Sequence, residues 1–75
     1  MKTRKLLHIE IRIEGYLDPI WAEWFEGLEM QQTIPGETLL KGEVVDQAAL
    51  YGLLGKLRDL GVKLLAVTYE EKILQ

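Results

Sequence analysis

Residues 7–14 read Leu7-His8-Ile9-Glu10-Ile11-Arg12-Ile13-Glu14, and their interpretation decides the fold. Four aliphatic side chains alternate with four polar ones, the period of two required of a strand with one buried and one wet face.

Downstream of this strand, Gly15 ends the alternation, and Asp18-Pro19 has the form of an N-cap followed by a first helical residue. Trp21, Trp24, Phe25 and Leu28 then fall at i, i+3, i+4 and i+7, which predicts a short helix with one apolar stripe. Glu23 and Glu26 lie off the stripe and Gly27 is the expected stop. The spacing marks the aromatic residues as core rather than a ligand cage, with Trp21 or Trp24 the candidates for partial exposure in a cleft beside the loop from Gly15 to Asp18. Asp18, Glu23, Glu26 and Glu29 are spread by helix geometry, so no metal site is expected from them.

Leu28 to Ile34 reads as an edge strand of modest hydrophobicity, Pro35-Gly36 as a turn, and Thr38 to Val45 as the returning strand. In the latter, Leu40, Gly42 and Val44 share one face and Leu39, Lys41 and Glu43 the other. Asp46 caps a longer helix in which Leu50, Leu53, Leu54, Leu57 and Leu60 follow the 3.6-residue period, and Gly61 closes it. Val62 to Tyr69 is the last strand, apolar on both faces apart from Lys63 and Thr68. Glu70, Glu71 and Lys72 are expected to end it, leaving Ile73 and Leu74 as an apolar tail.

Strand, helix, strand, strand, helix, strand in 75 residues predicts a single α+β domain of the ferredoxin-like βαββαβ type. Both helices would cover one face of a four-stranded antiparallel sheet with the first and third strands central. Residues 1–5 form a basic arm, 6–69 the core and 70–75 a C-terminal tail. So short a chain holds one small core, and its stability is expected to be narrow or shared with a partner chain.

Composition removes whole classes of function. The chain has no cysteine, which excludes disulfides, zinc ribbons, iron–sulfur clusters and thiol nucleophiles, and its single histidine excludes multi-histidine metal sites. No cofactor and no catalytic residue is expected. Twelve acidic against nine basic residues give a net charge of -3, against the basic face a nucleic-acid module presents. Lys2, Arg4 and Lys5 begin the chain, but Leu6 and Leu7 are soon interrupted by His8 and Glu10, so no signal-peptide core or membrane span is expected. A soluble, cytoplasmic chain is the expectation.

Two surfaces stand out. On the open face of the sheet, pairing of the first and third strands with Glu10 opposite Lys41 would set His8 against Glu43 and Arg12 against Leu39. A salt-bridged wet face is the simpler reading of this cluster, and a pH-sensing His8 the sharper one. On the second helix, Ala48, Gly52 and Gly55 form a stripe opposite the leucines, flanked by Tyr51 and Arg58 on one side and Lys56 on the other. Two mid-helix glycines each cost about 1 kcal/mol relative to alanine, which points to a contact made through this stripe. Together with Ile73 and Leu74 it is the candidate interface of a homo-oligomer, or of a complex with an unidentified protein partner.

The combination Gly15-Tyr16-Leu17-Asp18-Pro19-x-Trp21-x-x-Trp24-Phe25-x-Gly27-Leu28, followed by Gly42-x-Val44-x-Asp46-Gln47-Ala48-Ala49-Leu50-x-Gly52-Leu53-Leu54-x-Lys56-Leu57-Arg58-Asp59-Leu60-Gly61, resembles a family of short bacterial proteins of the same fold with no assigned activity. The resemblance covers roughly residues 9–67 and implies neither substrate nor cofactor. Other users of the topology fail on particular residues. An acylphosphatase needs a loop arginine and an asparagine, but no arginine lies between Arg12 and Arg58 and the chain lacks asparagine. An RNA-recognition motif needs aromatic side chains on the first and third strands, which are aliphatic here. A heavy-metal carrier needs paired cysteines. An amino-acid-sensing regulatory domain stays open, because Gly15 and the Gly52/Gly55 face resemble its glycine-containing loop and dimer interface. The preferred expectation is a non-enzymatic, self-associating interaction or regulatory module; the alternative is a small-molecule sensor with its ligand at a subunit interface.

Overall fold

The computed structural model describes residues 4–25, 27–32 and 34–74. The sequence readings that fall on Met1 to Thr3, Glu26, Thr33 and Gln75, and on the side chain of Leu74, lie outside these residues. The chain forms β1 (Arg4–Glu14), a 3₁₀ helix (Pro19–Phe25), β2 (Leu28–Gln31), β3 (Glu37–Val44), α1 (Gln47–Leu60) and β4 (Leu64–Leu74). The strands make one antiparallel sheet in the order β2-β3-β1-β4, so β1 and β3 are the inner pair. The fold is α+β, with one α-helix and one 3₁₀ helix beside a four-stranded antiparallel sheet.

The alternating stretch behaves as its period requires. Leu7, Ile9, Ile11 and Ile13 are buried, while Glu10, Arg12 and Glu14 are exposed. With Leu40 from β3, Phe25 from the 3₁₀ helix and Leu50, Leu53 and Leu57 from α1 they form one core. Each such aliphatic side chain removed from water contributes about 1.5–3 kcal/mol. Both helical segments therefore pack on the face of the sheet that carries the odd-numbered residues of β1.

The first helical segment corrects the sequence reading, which predicted an α-helix. Its opening is as expected: the Asp18 carboxylate accepts the Ile20 N–H at 3.0 Å, and the Asp18 carbonyl accepts the Trp21 N–H at 2.9 Å, an i to i+3 bond. The i to i+3 bond from Asp18 sets the tighter winding from the first turn. The seven-residue helix lies in the junction between the end of β1, where Glu14 is opposite Glu37, and the start of β2, where Leu28 is opposite Gly42.

Gly42 completes this junction. A methyl group there would overlap the Gly27 carbonyl oxygen and come within 2.8 Å of the Leu28 side chain. Glycine in mid-strand lets the start of β2 close over β3, a role not assigned to it from the sequence.

α1 follows the sequence closely. The Asp46 side chain accepts the Ala49 N–H at 2.9 Å, and Gly61 closes the helix in the left-handed region at φ 74°. β4 does not stop at Tyr69. Its residues 70–74 continue to pair with β1, with Glu70 opposite His8 and Leu74 opposite Arg4. The expected tail is thus strand, because β1 itself begins at Arg4 and offers it a partner.

Candidate interaction surfaces

The open face has the predicted register: His8 faces Glu43, Glu10 faces Lys41 and Arg12 faces Leu39. Its ion pairs differ from those expected. Arg12 reaches Glu37 at 3.0 Å and Lys72 reaches Glu43 at 3.5 Å. β4, which the sequence pattern does not tie to this cluster, sets Glu70 on the other side of His8. Glu14 and Glu37 lie directly opposite one another, and the clash is relieved by a cation on each side, Lys63 at 3.5 Å from Glu14 and Arg12 on Glu37. Such exposed pairs each contribute little. The His8 Nδ1 atom is buried without a hydrogen-bond partner among the described residues, under a shallow cavity of about 500 Å³ that includes Glu29, Lys41, Glu43 and Lys72.

The loop after β1 is fixed by Thr38, a buried polar residue of β3. Its hydroxyl donates to the Gly15 carbonyl at 2.8 Å and accepts the Leu17 N–H at 3.3 Å. The Gly15 N–H donates to the Gly36 carbonyl at 2.6 Å, and the Gly36 N–H to the Tyr16 hydroxyl at 3.2 Å. Loop and β2–β3 turn are thereby joined into one rigid corner. Beside it is an open cavity of about 610 Å³, between Tyr16, Leu17 and Asp18 on one side and Met30, Gln31 and Thr38 on the other. The cavity belongs to the β2 end of the molecule, and Trp21 and Trp24 do not line it.

The aromatic residues divide according to the period of three. Residues three apart eclipse in a 3₁₀ helix, so Trp21 and Trp24 share a ridge with ring centroids 5.2 Å apart and are 38% and 37% exposed. Phe25, one position on, turns into the core at 1%. The sequence spacing predicts a core stripe with partial exposure of Trp21 or Trp24 beside the Gly15–Asp18 loop; both are partly exposed, and neither lines the cavity there. Lys56 of α1 covers this ridge, donating to the Trp24 carbonyl at 2.8 Å with its ammonium 5.7 Å from the indole centroid.

The small-residue face of α1 is open. Ala48, Tyr51, Gly52 and Arg58 are exposed, a methyl group at Gly52 would meet nothing within 4 Å, and one at Gly55 would meet only Arg58 at 3.9 Å. Arg58 pairs with its neighbour Asp59 at 3.3 Å. Ile73 is exposed too, but lies on β4 rather than on the helix.

The helical layer covers the sheet unevenly. At 100° per residue from Leu50, Ala49 and Lys56 fall on one flank of α1, and Gln47, Tyr51, Leu54 and Arg58 on the other. Lys56 holds the first flank to the 3₁₀ helix, whereas Gln47 donates from the second to the Tyr69 hydroxyl at 3.0 Å. That second flank looks over β4 and has no second helix beside it among the described residues. Val67, Tyr69 and Ile73 of β4 sit level with Ile11, Ile9 and Lys5 of β1, on the helix side of the sheet, and all three are exposed. Leu64 and Leu65, at the register shift opposite Arg12 and Ile13, extend the row.

Among the described residues, no group of three or more acidic or histidine side chains is arranged to hold a metal ion, and no helix is long and apolar enough to cross a membrane. Comparison with curated proteins and with solved structures finds no match. A family model does match, over residues 8–68, from the third residue before Ile11 in β1 to the centre of β4. The chain therefore belongs to the family described as a domain of unknown function, DUF8691.

Proposed function

We propose that this protein is a non-enzymatic interaction module that works by self-association. The observation that carries the reading is the uncovered row on β4. Val67 and Tyr69 lie one strand away from Ile11 and Ile9, which are wholly buried, yet are 37% and 50% exposed themselves. A small domain gains stability from every apolar side chain it removes from water, and neighbouring exposed apolar side chains such as Val67 and Tyr69 mark a partner surface; Glu71, opposite Leu7 on the same face, separates them from Ile73. The open stripe of α1, opposite the leucines that pack on the sheet, is a separate candidate contact.

The ferredoxin-like sandwich, with its first helix wound as 3₁₀, a bacterial origin and a cytoplasmic setting are parts of the same proposal. Sedimentation of the purified chain from micromolar to millimolar concentration tests it. A mass that rises to that of a dimer supports the reading; a monomer throughout ends it.

The cavity beside the Gly15–Asp18 loop favours a second reading, a small-molecule sensor. Part of its polar lining is already engaged, since Thr38 bonds Gly15 and Leu17, and Asp18 bonds Ile20. The cavity also includes β2 residues, and β2 is the edge opposite β4. A ligand there would raise the melting temperature by mass action without altering the mass of the assembly.

A further inference from the structure

We infer that the partner of β4 is β4 of a second copy, paired antiparallel about a two-fold axis through Tyr69, so that two four-stranded sheets become one of eight. This rests on the self-association reading and specifies its geometry. β4 is an edge strand of eleven residues, hydrogen-bonded among the described residues on one side only, to β1. An edge of that length presents a row of backbone donors and acceptors that another strand can satisfy.

The register follows from the sequence of the strand. For the helical faces of both copies to lie on the same side, the axis must pass through a residue rather than between two, and Tyr69 is the midpoint of Leu64–Leu74. With Tyr69 opposite itself, the regular stretch from Ala66 to Lys72 is paired throughout, and the register shift at Leu65 falls outside it. Glu70 faces Thr68, Glu71 faces Val67 and Lys72 faces Ala66, so no like charges are directly opposed. Moving the axis one residue toward the C-terminus sets Glu70 against Glu70, and two residues sets Glu71 against Glu71, both unfavourable. Moving it one residue toward the N-terminus leaves Ile73 and Leu74 without strand partners. The exposed Val67 and Tyr69 rows of the two copies then adjoin beneath the Gln47–Tyr51 flanks of the two α1 helices.

The chain contains no cysteine, so single-cysteine variants carry one spin label each. Thr68→Cys and Lys72→Cys are the positions of choice, both exposed and on the open face. In the inferred register the two Thr68 positions are offset by two residues and the two Lys72 positions by six, about 7 Å and about 20 Å along the strand. The expected result is a dimer whose Thr68→Cys spectrum is dipolar-broadened and whose Lys72→Cys pulsed dipolar distance centres near about 20 Å. A dimer with an unbroadened Thr68→Cys spectrum, and with coupling instead between labels at Gly52→Cys, overturns the β4 register while keeping self-association. A monomer by sedimentation overturns both. Circular dichroism of each labelled variant confirms that the fold is retained.

Discussion

β1 and β4 are adjacent strands of equal length, each eleven residues and rich in branched aliphatic side chains, yet they have opposite fates. Ile9 and Ile11 of β1 are inaccessible, and their direct neighbours Tyr69 and Val67 are not. The difference is not in local pattern but in what stands above. α1 and the 3₁₀ helix lean on one another through Lys56 and Trp24, which draws the helical layer over the β1 and β3 side and away from β4. A row of apolar side chains on a sheet is core only where the second layer reaches it.

The sharpest way to break this comparison is truncation on both strands. Ile11→Ala is expected to cost about 2–5 kcal/mol, read as a lowered urea midpoint, whereas Val67→Ala in dilute solution is expected to cost well under half of that. Equal losses would mean that β4 is covered. Next in size is Gly42→Ala: the added methyl must push back the Gly27 carbonyl and Leu28, an overpacking expected to cost about 1–3 kcal/mol in the same unfolding measurement.

Val67→Lys sharpens the comparison from the other side. In the proposed dimer it is expected to weaken association by about tenfold or more, equivalent to about 1.4 kcal/mol, while leaving the melting temperature of the dilute chain almost unchanged. Asp46→Ala, which removes the cap of α1, is expected to destabilise by about 1 kcal/mol. Smallest is Gly52→Ala, expected to stabilise by about 0.5–1 kcal/mol because the methyl enters open space on an α-helix. Thermal melts check both, and a loss of dimer in Gly52→Ala would move the contact from β4 to the helix.

Much of this was legible in residue order. The alternation from Leu7 to Glu14, the pairing of Glu10 with Lys41 and the leucine period of α1 depend on local geometry, and each is found in the structure. What was not legible depends on distance across the fold. The stripe of Trp21, Trp24 and Phe25 has α-helical spacing, but the segment is wound as a 3₁₀ helix, whose period of three sets both indoles on one half-exposed ridge. Glu70-Glu71-Lys72 reads as the end of a strand until Arg4 to Leu7 are seen beside it. The purpose of Gly42 had a signal, a glycine inside an otherwise regular strand, although the atom it makes room for belongs to Gly27. The uncovered row on β4 had none, because it is set by where the helical layer rests.

The placement of the indoles has a spectroscopic consequence. Both tryptophans ride on the 3₁₀ ridge, held by Lys56 on the flank of α1 turned away from β4. Their emission is a clean gauge of unfolding, because melting strips Lys56 from the ring and hydrates the indoles fully, and it should be blind to any association along the far edge. Tyr69 is on that edge, so once Tyr16 and Tyr51 are replaced by Phe, a chain excited at the indole band and one followed through its remaining phenol will tell two separate stories about the same sample.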